Sequence, residues 1–383
     1  MMRPPPLLAP SPAIARRQWL ALAACGVLTQ PLPAQTLRQP PKLAWPADHG
    51  AHPQTTIEWW YLTGWLQWAD APEATPMGFQ LTFFRRLVPG TQHLSSPLAA
   101  KHLIAAHAAV SLPQQARQWH AQRSARWDGT ANAGAVRMAT QGLDVRLDHP
   151  APSWYLRLDH STHAPRLQLG FSDQRFALVL AARPTQALLL QGEQGVSQKG
   201  PTPAHQSVYI TWPHLAIQGQ LRTPNSGPRN VVGRAWLDHE WSNGLMPPKA
   251  VGWDWVGLMW NDGHSLMAFQ MRDPQGKAVW RAGSWRSSQA TQATHWPHHA
   301  LRFEPLRTWQ SPQTGARYPV AWRVHTPQGV WRVEAVFDQQ ELDGRASTGI
   351  IYWEGLVSVH HANGQRVGWG YLEMTGYQQK LRL

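Results

Sequence analysis

The sequence predicts an all-β protein built of two antiparallel β-barrels in tandem. Thirty Gly and 33 Pro among 383 residues interrupt the chain too often for long helices, which excludes helical bundles, coiled coils and α-solenoids. Apolar and polar residues alternate with period two in segment after segment, and turn signals separate those segments. At an offset of 190 residues, Asp48, His49, Trp65, Met77, Phe79 and Gln80 recur as Asp238, His239, Trp255, Met267, Phe269 and Gln270. That self-similarity suggests two related barrels of one chain.

The alternation is clearest at 142–148, where Leu143, Val145 and Leu147 interleave with Asp144, Arg146 and Asp148, and at 215–222, where Leu215, Ile217 and Leu221 interleave with Gln218, Gln220 and Arg222. The same period fits 175–181, 330–337, 350–359 and 367–377. NDG at 261–263, DPQG at 273–276, TPQG at 326–329 and ANG at 362–364 read as hairpin turns. A meander of hairpins protects its edges by closing, and a closed barrel with a wide mouth holds one apolar ligand. The Pro/Gly/Asn-rich stretch 223–230 is the expected join, which gives an N-terminal domain over 40–224 and a C-terminal domain over 231–383.

The first 34 residues read as an export signal: Arg16-Arg17, then Trp19-Leu20 and a short apolar stretch, then small residues. Cleavage after Ala34 is expected, with lipidation of Cys25 as the alternative, so the protein is expected in the periplasm. Cys25 is the only cysteine, which excludes an internal disulfide and a cysteine-ligated zinc. The formal charge of +13 raises a nucleic-acid or anionic-lipid partner. Its basic residues are scattered, without a nucleic-acid module, so no nucleic acid is expected and contact with a membrane surface stays open.

Twenty-three Trp exceed ordinary usage several-fold and suit the lining of an apolar site. Carboxylates set among indoles draw attention, because desolvation raises their pKa and leaves an acid able to give a proton near neutrality. Asp254, between Trp253 and Trp255, is the sharpest case, and Glu58, followed by Trp59 and Trp60, is the second. In a strand, however, Trp253 and Trp255 share one face and Asp254 takes the other. Likewise His239 and Trp241 share a face opposite Asp238 and Glu240; they suit either proton transfer or a hydrogen-bonded plug. Asp48, His49 and His52 offer metal-ligand types, but HGAHP reads as a turn and no HExxH occurs, so no metal is expected. The GxSxG, P-loop and GxGxxG patterns are also missing.

Seven strings carry a resemblance: DHGAHPQTTIEWWYLTGWL at 48–66, GFQLTFFR at 78–85, LLLQGEQGVSQKG at 188–200, GRAWLDHEWS at 233–242, VGWDWVG at 251–257, DQQELDGRASTGIIYWEG at 338–355 and GYLEMTGY at 370–377. In these the chain resembles the AttH and carotenoid 1,2-hydratase family. The resemblance implies tandem lipocalin-like (calycin) barrels and cofactor-free addition of water to a double bond of an isoprenoid-type substrate. It casts Asp254 as proton donor, His239 as the residue that positions or deprotonates water, and Trp241 with Trp253 or Trp255 as cation shields. Glu58 and Tyr209 would support them, with Trp59, Trp60 and Phe79 completing the ligand contacts. A non-catalytic carrier of a hydrophobic ligand is the alternative, and a secreted hydrolase the weaker third.

Overall fold

The computed structural model describes residues 40–381 except 97–98, 131–134 and 160–164. The expected export signal lies outside the described residues. Within them the chain is all-β, with helix limited to three single 3₁₀ turns. The first sheet contains β1 (Ile57–Trp68), β2 (Met77–Leu87), β3 (His102–Leu112), β4 (Arg117–Trp127), β5 (Val136–Met138), β6 (Asp144–Leu147) and β7 (Trp154–Asp159). It continues with β8 (Arg166–Ser172), β9 (Ala177–Pro184), β10 (Leu189–Leu190), β11 (Val196–Gln198), β12 (Gln206–Thr223) and β13 (Ser226–Gly244). The second contains β14 (Gly252–Trp260), β15 (Ser265–Arg272), β16 (Ala278–Arg286), β17 (Thr294–Trp296) and β18 (Arg302–Gln310). β19 (Arg317–Thr326), β20 (Gly329–Ala335), β21 (Glu341–Gly344), β22 (Ile350–His360) and β23 (Arg366–Met374) complete it.

All pairings are antiparallel, in the order β4-β3-β2-β1-β13-β12-β9-β8-β7-β6-β5 for the first sheet. This sheet curls until β4 comes back against β5, as closure of a lipocalin-like barrel requires. The second runs β17-β16-β15-β14-β23-β22-β20-β19-β18.

Two expectations are corrected here. The stretch 223–230 is a hairpin turn inside the first sheet, because β13 pairs with both β12 and β1. The chain passes to the second sheet only over 245–251, a segment with Pro247 and Pro248 that suits a break between sheets. The offset repeat matches hairpin β1–β2 with hairpin β14–β15, but with a register shifted by one: Trp65 pairs with Gly78, whereas Trp255 pairs with Phe269. A one-residue shift reverses the face of a side chain, so Phe79 sits in the first barrel's core and Phe269 outside the second's.

Both sheets fill their own interiors. Trp60, Phe79, Phe83, Trp127 and Trp154 pack the first, and Trp260, Tyr318, Trp322 and Trp353 the second. An apolar ligand inside either barrel, expected from the sequence, has no room there. A third apolar layer lies between the sheets, formed by Ile57, Tyr61, Tyr209, Trp236, Trp255, Met267 and Phe269 among others. A hydrogen bond between the His107 ring and the Tyr352 hydroxyl (2.6 Å) and one from Gln122 Nε2 to the Asp343 carbonyl (2.9 Å) tie one sheet to the other around it.

Candidate functional site

A cavity of about 530 Å³ opens in that middle layer. Strand alternation decides what reaches it. On β1 the odd residues Ile57, Trp59 and Tyr61 face the cavity, and on β13 Asp238 and Glu240 do; β12 adds Tyr209. The second sheet contributes Trp253 and Trp255 from β14, Phe269 and Met271 from β15, Tyr352 and Glu354 from β22, and Glu373 from β23. Gly257 is what lets the Trp255 indole lie flat along its strand, since a Cβ there would stand 2.4 Å from Cη2 of that ring.

Five carboxyls line the cavity: Glu58 at its rim, and Asp238, Glu240, Glu354 and Glu373 among the aromatic walls together with the ammonium group of Lys199. Asp238 accepts from the Tyr209 hydroxyl (2.6 Å), the Thr211 hydroxyl (2.6 Å) and Trp236 Nε1 (2.8 Å). Trp255 Nε1 in turn donates to the Tyr209 hydroxyl at 3.0 Å, so an indole, a phenol and the acid form one chain. Burial pushes Asp238 up to about 7 in spite of its three donors. Glu354 and Glu373 stand directly opposite each other on β22 and β23. Burial raises both; repulsion from Glu373 adds to it at Glu354, which lies well above the ordinary carboxylate range, and repulsion from Asp238 and Glu240 adds to it at Glu373, which is pushed up to about 7. Tyr61 and Tyr352 flank Glu354, and the Trp253 side chain holds Glu373. Lys199, 4% exposed, pairs with Glu240 at 2.8 Å and lies over the rings of Tyr209 and Phe269 at 4.5 and 4.3 Å.

Several sequence-predicted residues lie elsewhere. Asp254 is buried, and burial raises its pKa as the flanking indoles implied, with Arg272 opposing. Its side chain nonetheless points to the second barrel's core, where Arg272 Nε (2.8 Å), Gln270 Nε2 (2.8 Å) and the Tyr377 hydroxyl (3.0 Å) occupy both oxygens. Asp254 is not among the residues that line the cavity. Asp254→Asn is expected to lower unfolding free energy by about 3 kcal/mol, because Arg272 loses its buried counter-charge. Chemical denaturation would read that loss; an unchanged unfolding free energy would mean that the Asp254–Arg272 pair does not hold the second sheet's core together.

His239, Trp241 and Trp60 face away from the cavity as well, because the odd residues of β13 and the even residues of β1 point inward to the first barrel. There they build a closed polar cluster around Glu58. Arg85 Nε lies 2.7 Å from one Glu58 oxygen, while rings of His52 (2.8 Å) and His239 (2.9 Å) meet the other. His52 also bonds Asp48 at 3.0 Å and stacks on Trp241 at 3.8 Å; His239 stacks on Trp60 at 4.6 Å. Burial pushes the Glu58 carboxyl up, but the two imidazoles and the Arg85 charge outweigh it and hold the group well below the usual range. Burial lowers His52, and the carboxylates of Glu58 and Asp48 more than compensate, so it is raised; His239 is lowered by burial to about 4. Glu58 lines the cavity rim beside Arg85, but as a locked ion pair. Phe79 lies in the first core. Trp59, Tyr209, Trp253 and Trp255 are the predicted contacts that do line the cavity.

The ligand atoms of His52, Glu58 and His239 lie within 4.8 Å of one another, a set that could hold a metal ion. The cluster meets its carboxylates without one: the Arg85 guanidinium answers Glu58, and the His52 ring bonds both Glu58 and Asp48. A cation would also have to displace or face the Arg85 guanidinium, so the donor set fits a metal poorly.

The sequence reading passed over Glu354, Glu373 and Lys199 as acting groups. Their signal was present in the period-two pairs Tyr352/Glu354 and Tyr371/Glu373, each placing an acid and a phenol on one strand face, which adjacency to tryptophan does not reveal.

Among curated proteins none matches the sequence at a significant level. Solved structures do. An AttH from Nitrosomonas europaea is 37% identical, with 91% of this chain and 100% of that one covered and a TM-score of 0.77. Kievitone hydratase from Nectria haematococca is 14% identical over 91% of this chain and 98% of that one, with a TM-score of 0.64, a likeness of fold. The AttH-like family model matches residues 36–377, nearly the whole described chain. The chain therefore belongs to the AttH-like family.

Proposed function

We propose that the cavity between the sheets is the active site of a cofactor-free, hydratase-type lyase that adds water to a carbon–carbon double bond of an isoprenoid-type substrate. One observation carries this reading: Glu373 and Asp238, both poised near pH 7, face one aromatic cavity from opposite sheets, near enough for the charge of one to act on the other. Protonated Glu373 gives its proton to one alkene carbon. The electron-deficient neighbour is sheltered by the indoles of Trp59, Trp253 and Trp255. Ionised Asp238 takes a proton from water as its oxygen bonds to that carbon, and the two acids then exchange their extra proton with solvent. The net change is addition of H and OH, and nothing is oxidised or reduced. The hydratase fold of the Nectria protein supports this assignment as an analogy. The arginine-led, apolar N-terminal segment supports export to the periplasm, where such a protein meets lipids at a membrane surface.

The test is incubation with acyclic isoprenoids, from a carotenoid to farnesol, in ¹⁸O-labelled water, followed by mass spectrometry. A product heavier by one labelled water is expected. Glu373→Gln should lower turnover at least about a hundredfold while tryptophan quenching still reports ligand binding. Uptake by the wild type with no labelled product would overturn the enzyme and leave the carrier.

A further inference from the structure

The cavity is not uniformly apolar along its length. Across the first sheet one row of directly paired residues runs Ser124, Ala105, Phe84, Trp59, Glu240, Tyr209, from β4 through β3, β2, β1 and β13 to β12. Every member lines the cavity. Five inter-strand steps make this floor roughly 24 Å long. Its middle is hydrocarbon and indole, with Trp253, Met271 and Ile350 on the facing wall. Its β12 end is different: Lys199, Glu240 and Asp238 meet there around Tyr209, and Ser207 donates to Glu240.

That end decides what kind of molecule can fill the slot. Lys199 and Glu240 satisfy each other only in part, and a hydrocarbon pressed against the pair would leave the remaining ammonium protons and carboxylate lone pairs without partners. A carboxylate would accept from Lys199 but would face Glu240 and Asp238, like charges at close range. A hydroxyl meets both requirements, accepting from the Lys199 ammonium while it donates to the Glu240 carboxylate.

We infer that the substrate is an elongated isoprenoid alcohol, lying along the β4-to-β12 row with its hydroxyl beside the Lys199–Glu240 pair, bonded to both partners, and its unsaturated chain beneath Trp59, Trp253 and Trp255. The inference rests on the cavity being the substrate site, and it narrows the substrate class from apolar isoprenoids in general to oxygenated ones.

The probes are farnesol, farnesoic acid and farnesene, which share a skeleton and differ at the head, each delivered from cyclodextrin and titrated by tryptophan quenching. The wild type is expected to bind farnesol about tenfold more tightly than either of the others. Lys199→Met should erase the advantage over farnesene. Since that variant leaves Glu240 buried and unpaired, Lys199→Met/Glu240→Gln serves as the second: with neutral isosteres at both positions it should fold and bind farnesene as tightly as farnesol. Equal binding of farnesol and farnesene by the wild type, or a farnesol preference that survives the double substitution, would overturn the inference. Binding is read without turnover. A Lys199-dependent farnesol preference in a protein that makes no labelled product would sink the enzyme reading alone, and labelled product without that preference would sink only the head-group assignment.

Discussion

Arg85→Met is expected to lower the free energy of unfolding by about 3–5 kcal/mol, the range for removing one partner of a buried ion pair. Both side chains of the Arg85–Glu58 pair are fully buried. The guanidinium does more than neutralise the carboxylate: it also donates to the carbonyl of Thr55 (2.9 Å), the carbonyl of His52 (2.9 Å) and the Thr55 hydroxyl (2.6 Å). It therefore fastens the 52–55 loop onto the start of β1 and the end of β2. Methionine fills similar volume and supplies none of these bonds, which leaves the buried Glu58 charge without its cation and the Thr55 carbonyl without its Arg85 donor. The double variant Glu58→Gln/Arg85→Met removes the stranded charge and should cost less than Arg85→Met alone. Guanidinium denaturation of the set forms a cycle that isolates the coupling. If Arg85→Met unfolds at the same denaturant concentration as the wild type, the cluster is not the anchor described above.

The fold was legible in sequence because a strand's period and its turns are local properties. The alternation at 142–148, 215–222, 330–337, 350–359 and 367–377 falls on or overlaps β6, β12, β20, β22 and β23. Which face of each strand lies inside is a tertiary question, and there local reading divided. In GWDWVG strand alternation puts the indoles and Asp254 on opposite faces but does not say which face meets a cavity; the structure gives the cavity to the indoles and the acid to Arg272. In DHEW the same alternation put Asp238 and Glu240 together on one face and His239 with Trp241 on the other, and the cavity takes the acids. Lys199 became a site residue only because β11 and β12 fold it under Tyr209, a contact between segments whose spacing carries no periodic signal. The place of the cavity depended on side-chain volume: indoles turn into each barrel's core, and an aromatic-walled space opens where the two sheets meet.

Turnover and stability should both change near pH 7, and the sign of each follows from the same two acids. Glu373 and Asp238 have folded pKa values of about 7, above the roughly 4 of an unfolded carboxyl. The native state therefore holds protons that the unfolded chain has released, and the stabilisation from each acid is complete below the unfolded value. It declines by about 1.4 kcal/mol per pH unit and is lost as pH rises through 7. Buried neutral imidazoles act the other way: His214 and His239, lowered by burial to about 4, make the native state lose stability as pH falls from about 6.5 toward 4. The two trends overlap, so the wild-type profile alone does not separate them, but Glu373→Gln does. Subtracting the variant's unfolding free energy from the wild type's at pH 5, 6 and 7 cancels the imidazoles and should leave a difference that shrinks with rising pH. For catalysis, Glu373 must be protonated and Asp238 ionised, so turnover should follow a narrow bell centred near neutrality whose limbs belong to the interacting pair. A difference curve that runs flat from pH 5 to 7 would mean that Glu373 is ionised in the native cavity, and the proton donor would then have to be sought at Glu354.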